Sequence, residues 1–226
     1  MAEIKDKRIP LDTISGEADF LALPGSRASA HPAWRGIKRG GDVLFSALGL
    51  AVSFPFWPFI AAAVKLGSKG PVFYVQDRVG KGGRRFSLIK FRSMVENAEN
   101  GDPVWAKIDD ERITGVGRVL RRIHMDEWPQ LWNILRGDMS LVGPRPERPG
   151  FVEELDGKIP FYRLRHEVKP GLTGWAQVNY KYAASLESSR IKLEYDLYYI
   201  ARWSPAMDIG ILVRTIGKVF EKESVA

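Results

Sequence analysis

The sequence predicts an α+β fold, mainly helical. The expected form is a compact domain at the cytoplasmic face of a membrane, with a small β-hairpin, a re-entrant membrane helix broken at proline, and amphipathic surface helices. Three observations carry this reading. An apolar run with one charge spans Val43–Leu66 and is interrupted by Pro55 and Pro58. A stretch of alternating apolar and charged residues doubles back around Gly80, Gly82 and Gly83. Toward the C-terminus, two segments repeat apolar residues at helical spacing.

In chain order, residues 1–33 are polar, with Pro10, Pro24, Gly25 and Pro32 scattered among alternating charges. They read as a mobile N-terminal extension holding one short helix around Glu17–Leu23. The apolar core of a cleavable signal peptide is missing, as are lipidation signals at either end. Residues 34–226 form the second unit, a folded domain whose re-entrant helix covers about 38–66.

The run VLFSALGLAVSFPFWPFIAAAVKL is long enough, at ~1.5 Å rise per residue, to cross a ~30 Å hydrocarbon core. Pro55 and Pro58 argue against a straight crossing, because each removes a backbone donor and clashes with the preceding turn. Both flanks are basic: Arg35, Lys38 and Arg39 before it, and Lys65, Lys69, Arg78, Lys81, Arg84 and Arg85 after it. The positive-inside bias draws both ends to the cytoplasm. A hairpin that enters one leaflet and returns satisfies length, prolines and charge together; a kinked spanning helix and a buried core helix remain alternatives. A carbonyl freed at the break needs a partner at membrane depth, and the Ser53 hydroxyl is the candidate.

Beyond Gly70-Pro71, VFYVQDRVG and RRFSLIKFRSM read as two strands joined by a glycine-rich turn. Arg118–Arg122 is expected to lead into a helix starting near Asp126, with Pro129 in its first turn and Gly137 ending it. A Pro/Gly-rich loop, LVGPRPERPG, precedes a short helix near Gly150–Leu155. The loop VKPGLTGWAQVN precedes a helix from about Leu186 to Arg202. The closing segment MDIGILVRTIGKVF is amphipathic, suited to a membrane surface or to a protein core.

With no cysteine, the chain has no disulfide framework, thiolate metal site or cysteine nucleophile. A net charge of +7 calls for an anionic partner. Phosphate-loop and nucleophile-elbow signatures are absent, and Gly115-Val116-Gly117 has Leu120 where a dinucleotide fingerprint needs its third glycine. His31, His124 and His166 lack metal-ligand spacing. What remains is Asp126-Glu127 at an expected helix start, where acids ordinarily serve as caps. Here Arg118, Arg121 and Arg122 precede the pair, Arg145 and Arg148 follow, and Lys90 and Arg92 come from the preceding strand. Two carboxylates among cations beside a helix N-terminus suit a phosphate with a divalent metal. The helix dipole and the arginines are expected to keep Asp126 ionised and nucleophilic. A basic face meeting anionic lipid explains the same arginines without catalysis.

Four ordered blocks, GPVFYVQDRVG (70–80), FSLIKFRSM (86–94), MDEWPQLWNILRGDMSLVGPRPE (125–147) and RHEVKPGLTGWAQVN (165–179), resemble the small monotopic phosphoglycosyl transferases of the bacterial sugar transferase family. The resemblance runs from about Lys38 to Thr215. It implies a re-entrant helix broken at Pro55, although the serine that usually precedes this proline is Phe54 here, with Ser53 one residue earlier. The basic motif that opens the family's membrane helix appears as Lys38-Arg39-Gly40-Gly41-Asp42, without its aromatic. The extra N-terminal transmembrane helices of larger relatives are not found in the sequence.

The resemblance further implies that Asp126 attacks the sugar-linked phosphorus of a UDP-sugar, releasing UMP. The resulting phosphosugar–aspartate would then pass its group to undecaprenyl phosphate, the first membrane step of exopolysaccharide or glycoconjugate synthesis. Asp126 and Glu127 would hold Mg²⁺, Glu127 being left free to ligate it while Asp126 attacks. Arg145 falls on the family's phosphate-binding arginine, and Lys90 and Arg121 on positions near the site. The implied location is the cytoplasmic membrane, monotopic and facing the cytoplasm, among inner-membrane lipids. Nucleic acid is set aside, self-association stays open, and the hexose is not readable, glucose or galactose being a guess. One rival is a metal-dependent nucleotide-sugar glycosyltransferase using Asp109-Asp110 and releasing UDP. The other is a non-catalytic membrane scaffold of polysaccharide assembly.

Overall fold

The computed structural model describes residues 7–21, 32–96, 98, 110–180 and 185–220. In chain order the elements are α1 (Glu17–Leu21), α2 (Pro32–Ser53), α3 (Trp57–Gly67), β1 (Phe73–Val79), β2 (Arg85–Phe91), α4 (Gly115–Arg122), α5 (Gln130–Arg136), β3 (Ser140–Val142), α6 (Pro149–Asp156), β4 (Gly171–Thr173), α7 (Trp175–Asn179), α8 (Leu186–Arg202) and α9 (Pro205–Phe220). Mainly helical, with the expected hairpin, the fold also has a parallel pair, β3 with β4, that the sequence did not announce.

The apolar segment Ala33–Gly67 is long and apolar enough to cross a membrane, and only 17% of its most apolar stretch is buried. That rules out a core helix. The prolines do not unwind the chain. They shift it into a 3-10 turn, Phe54–Phe56, whose flanking residues keep right-handed helical dihedrals. Across this turn the Trp57 indole N–H donates to Ser53 Oγ at 3.4 Å, and that hydroxyl donates to the Leu50 carbonyl at 3.3 Å. Ser53 thus donates to a carbonyl one turn before the break; the carbonyl that Pro55 leaves without an amide is that of Ala51, so this bond is not the one expected of Ser53.

Both halves of the segment are fastened to the same body. Lys38 pairs with Asp208 at 2.6 Å. Arg39 donates to the Ile134 and Leu135 carbonyls, both at 2.6 Å, at the open C-terminus of α5. Asp42, buried, accepts from Ser140 Oγ and the Leu141 amide, each at 3.0 Å. In α3, Ile60 and Val64 join a core cluster with Phe91 and Leu120, against which Trp57, Met125 and Trp128 pack.

The hairpin pairs antiparallel from Phe73↔Phe91 to Val79↔Arg85. The main core lies under α8, where Leu193, Leu197, Tyr199 and Ile200 meet Val142, Tyr162 and Trp175. Residues 7–21 belong to this core, which corrects the expectation of a mobile extension for that stretch. Leu11 and Phe20 are buried in it. The Trp175 indole donates to the Lys7 carbonyl at 2.9 Å, and the Ile9 amide to the Glu194 carbonyl at 3.1 Å. Scattered polar residues and prolines hid two good apolar anchors. The C-terminal helix packs one face on the core, with Ile211 fully buried, while Ile209, Val213 and Ile216 on it are exposed.

Candidate active site

Asp126 and Glu127 do not cap a helix. They lie in a 3-10 turn, Met125–Glu127, entered through His124 in the left-handed region (φ 54°). The helix expected to start near Asp126 begins instead at Gln130 as α5, with this turn between it and α4; Gly137, at φ 95°, ends α5 as expected. Met125 and Trp128 pack into the cluster at α3, so the acidic pair sits directly on the base of the apolar segment. Asp126 is buried.

Of the four basic residues expected to bind phosphate, three stand around this turn, each held differently. Arg145 Nη2 donates to Glu127 Oε1 at 2.5 Å. Lys90 stands on β2 with its ammonium 5.3 Å from the centre of the Tyr74 ring. Arg121 comes from α4, its Nε–H donating to Ser93 Oγ at 2.8 Å. Arg92 does not join the group. Its guanidinium is buried under the end of α3, donating to the Ser68 carbonyl at 2.8 Å, Ser68 Oγ at 3.0 Å and the Val64 carbonyl at 3.4 Å. The expected phosphate ligand is thus a helix cap.

The electrostatics separate the two acids. Burial and the neighbouring Glu127 push Asp126 above the ordinary carboxylate range, against the pull of Lys90, Arg121 and His124. The cations therefore do not win at Asp126, contrary to the sequence expectation, because burial outweighs them. Burial alone would raise Glu127 too, but the Arg145 charge and hydrogen bond hold it below its usual value. Burial, with help from Arg121, brings Lys90 down to about 8. A buried carboxylate beside a second one locked to arginine, with a soft lysine close by, is an arrangement for attacking or clamping a phosphate.

Among the described residues, no three His, Asp or Glu side chains converge on one point. The Asp126–Glu127 pair nevertheless fits the way Mg²⁺ is held, by one or two carboxylates with substrate phosphates completing the shell. Of the rival metal pair, Asp109 lies outside the described residues. Asp110 is gripped by Arg112, at 2.8 Å from Nε and 2.5 Å from Nη2.

Sequence reasoning missed Arg78, which it counted only among the basic flanks of the apolar run, and Arg165, which it left inside a motif without a role. Both stand behind the loop that carries Arg145. No spacing rule could have announced them, since their partners are backbone carbonyls distant in sequence.

Residues 33–222 match the family model described as bacterial sugar transferase. The chain is 47% identical over 185 residues to the UDP-N-acetylgalactosamine-undecaprenyl-phosphate N-acetylgalactosaminephosphotransferase of Aeromonas hydrophila, covering 82% of this chain and 44% of that one. It is 43% identical to the UDP-glucose:undecaprenyl-phosphate glucose-1-phosphate transferase of Escherichia coli K12, covering 81% and 40%. A protein of the same description in Caulobacter vibrioides is 41% identical, covering 79% and 68%. The chain spans less than half the length of the first two relatives.

Proposed function

Because the chain belongs to the bacterial sugar transferase family, we propose that it moves a hexose-1-phosphate from a UDP-sugar to undecaprenyl phosphate, releasing UMP. The observation that carries this reading is the buried Asp126 beside a Glu127 already locked to Arg145, with Lys90 and Arg121 close enough to perturb it. The relatives' names supply the reaction class.

In the first step an Asp126 carboxylate oxygen bonds to the sugar-linked phosphorus, and the bond from that phosphorus to the bridging oxygen breaks. UMP leaves with that electron pair, and a phosphosugar–aspartate remains. In the second step a phosphate oxygen of undecaprenyl phosphate attacks the same phosphorus and the carboxylate departs, giving the polyprenyl diphosphosugar. Arg145, Lys90 and Arg121 offset the charge on the phosphoryl oxygens. Mg²⁺ held by Asp126 and Glu127 would supply further charge neutralisation.

The membrane placement belongs to the same proposal. The apolar segment enters one leaflet and returns, the domain faces the cytoplasm, and the site lies at the bilayer surface, where a soluble and a lipid substrate meet. Fastening of both halves to one body supports this, because a spanning helix would carry one end away.

Incubating the protein with UDP-glucose or UDP-N-acetylgalactosamine, Mg²⁺ and undecaprenyl phosphate tests the reaction. UMP should appear, and Asp126→Asn should abolish both it and the acid-trapped phosphosugar adduct. Release of UDP in place of UMP would refute the proposal in favour of simple glycosyl transfer.

A further inference from the structure

The loop that carries Arg145 is unusually poor in its own hydrogen bonding. Pro144, Pro146 and Pro149 offer no amide hydrogen, so the segment cannot build a turn ladder for itself. Its carbonyls are nonetheless taken one after another by donors from elsewhere. The Pro144 carbonyl accepts from the Gly171 amide on β4 at 2.8 Å. The Arg145 carbonyl accepts from Arg165 Nη2 at 3.0 Å. The Pro146 carbonyl accepts from Arg78 Nη1 at 2.9 Å. The Glu147 carbonyl accepts from the Val79 amide at 2.9 Å. Four consecutive carbonyls are held from three directions.

Two of these donors are arginine side chains, Arg165 buried and Arg78 partly buried. The Arg165 side chain is only 6% exposed, and its ion pair with Asp196 closes at 2.8 Å. Its other terminal nitrogen donates to the Tyr162 hydroxyl at 2.7 Å. Burying a guanidinium is costly, and its net return in stability is small. Here the buried charge ends on the backbone of the residue that grips Glu127. Arg78 reaches the next carbonyl and also donates to Gln76 Oε1 at 2.6 Å. Gln76 in turn donates to the Tyr74 hydroxyl at 2.8 Å, and the Tyr74 ring faces Lys90. One row on β1 therefore ties the Lys90 side of the site to the Arg145 side.

We infer that Arg165 and Arg78 are positioning residues: they fix the backbone beneath Arg145 so that its guanidinium is presented beside Glu127 at the depth of the substrate phosphate. This rests on the reading of Arg145 as the phosphate-binding group. Neither residue touches the reacting atoms. Each acts through a carbonyl, and misplacement by about 1 Å far from the chemistry costs ~100-fold in rate.

The test is a kinetic cycle on the full chain in detergent, following UMP from UDP-glucose and from UDP-N-acetylgalactosamine. Arg165→Lys is chosen because truncation would strand Asp196, and Arg78→Lys provides a second variant outside that buried pair. Each should lower kcat/KM roughly tenfold to a hundredfold. In an Arg145→Ala background the same changes should cost less than about twofold, since the group they position is gone. Additive losses would mean a merely structural role and overturn the inference.

Hydrogen exchange supplies the readout independent of turnover. Exchange in the peptide covering residues 143–151 should rise in both variants while α8 and α9 keep their protection. An unchanged loop overturns the inference even where the kinetics agree. An Arg145→Ala variant as active as the parent sinks it together with the role given to Arg145, whereas loss of UMP in Asp126→Asn leaves the wider reaction standing on its own.

Discussion

Lys90 is the residue whose chemistry is most exposed to pH. Burial and Arg121 lower it to about 8, so its ammonium is charged below that value and neutral above it. If that charge offsets the transferring phosphoryl group, UMP release should decline on an alkaline limb near pH 8. Lys90→Arg should move the limb upward, because a guanidinium stays charged there, at some loss of rate from its different shape. A pH–rate profile of both proteins checks this; an unmoved limb assigns the decline elsewhere. At this scale the sequence was half legible. Asp126, Glu127, Lys90, Arg121 and Arg145 could all be named, yet Arg92 was grouped with Lys90 as a residue of the same strand. The strand stops at Phe91, and the chain beyond it turns Arg92 toward the end of α3. The balance at Asp126 was likewise out of reach, since burial decides it and burial is a property of the fold.

Among the elements, α4 shows how a discarded motif regains meaning. Gly115-Val116-Gly117 failed as a nucleotide fingerprint, and the structure gives Gly117 a packing reason instead. A Cβ there would lie 1.9 Å from the Ser93 carbonyl oxygen, so α4 can approach the chain after β2 only with glycine at that point. Gly117→Ala should cost about 1–3 kcal/mol through forced displacement, read as a lower thermal unfolding midpoint in detergent. Activity should fall as well, because Ser93 also anchors Arg121. The hairpin, α6 and α8 were legible because their alternation, prolines and helical period are local signals. β3 and β4 were not: a parallel pair of three residues each is defined only by a partner some thirty positions away.

For the molecule as a whole, the absence of cysteine makes topology directly testable. Gly36→Cys and Lys69→Cys place unique thiols at the two ends of the apolar segment. Both should react with a membrane-impermeant reagent from the cytoplasmic side and neither from the other side. Reaction from opposite sides would establish a spanning helix. Prolines and basic flanks suggest a hairpin, which this labelling tests; the fastening of both halves of the segment to the domain was not legible in the sequence. Nor did the sequence reveal that residues 7–21 close over the main core, because the apolar anchors Leu11 and Phe20, with Ile9, Ile14 and Leu21 beside them, are scattered among polar residues and follow no helical or strand period. The fastening of α2 and α3 bears on how this protein meets lipid. A free spanning helix answers a thicker or thinner bilayer by tilting. Here Lys38, Arg39 and Asp42 hold one half, and Arg92 holds the end of the other. Tilt of either half against the domain would have to break those bonds; with the segment entering one leaflet as proposed, its immersion depth would be set by the fold, and a leaflet of unsuitable thickness would have to deform around the protein.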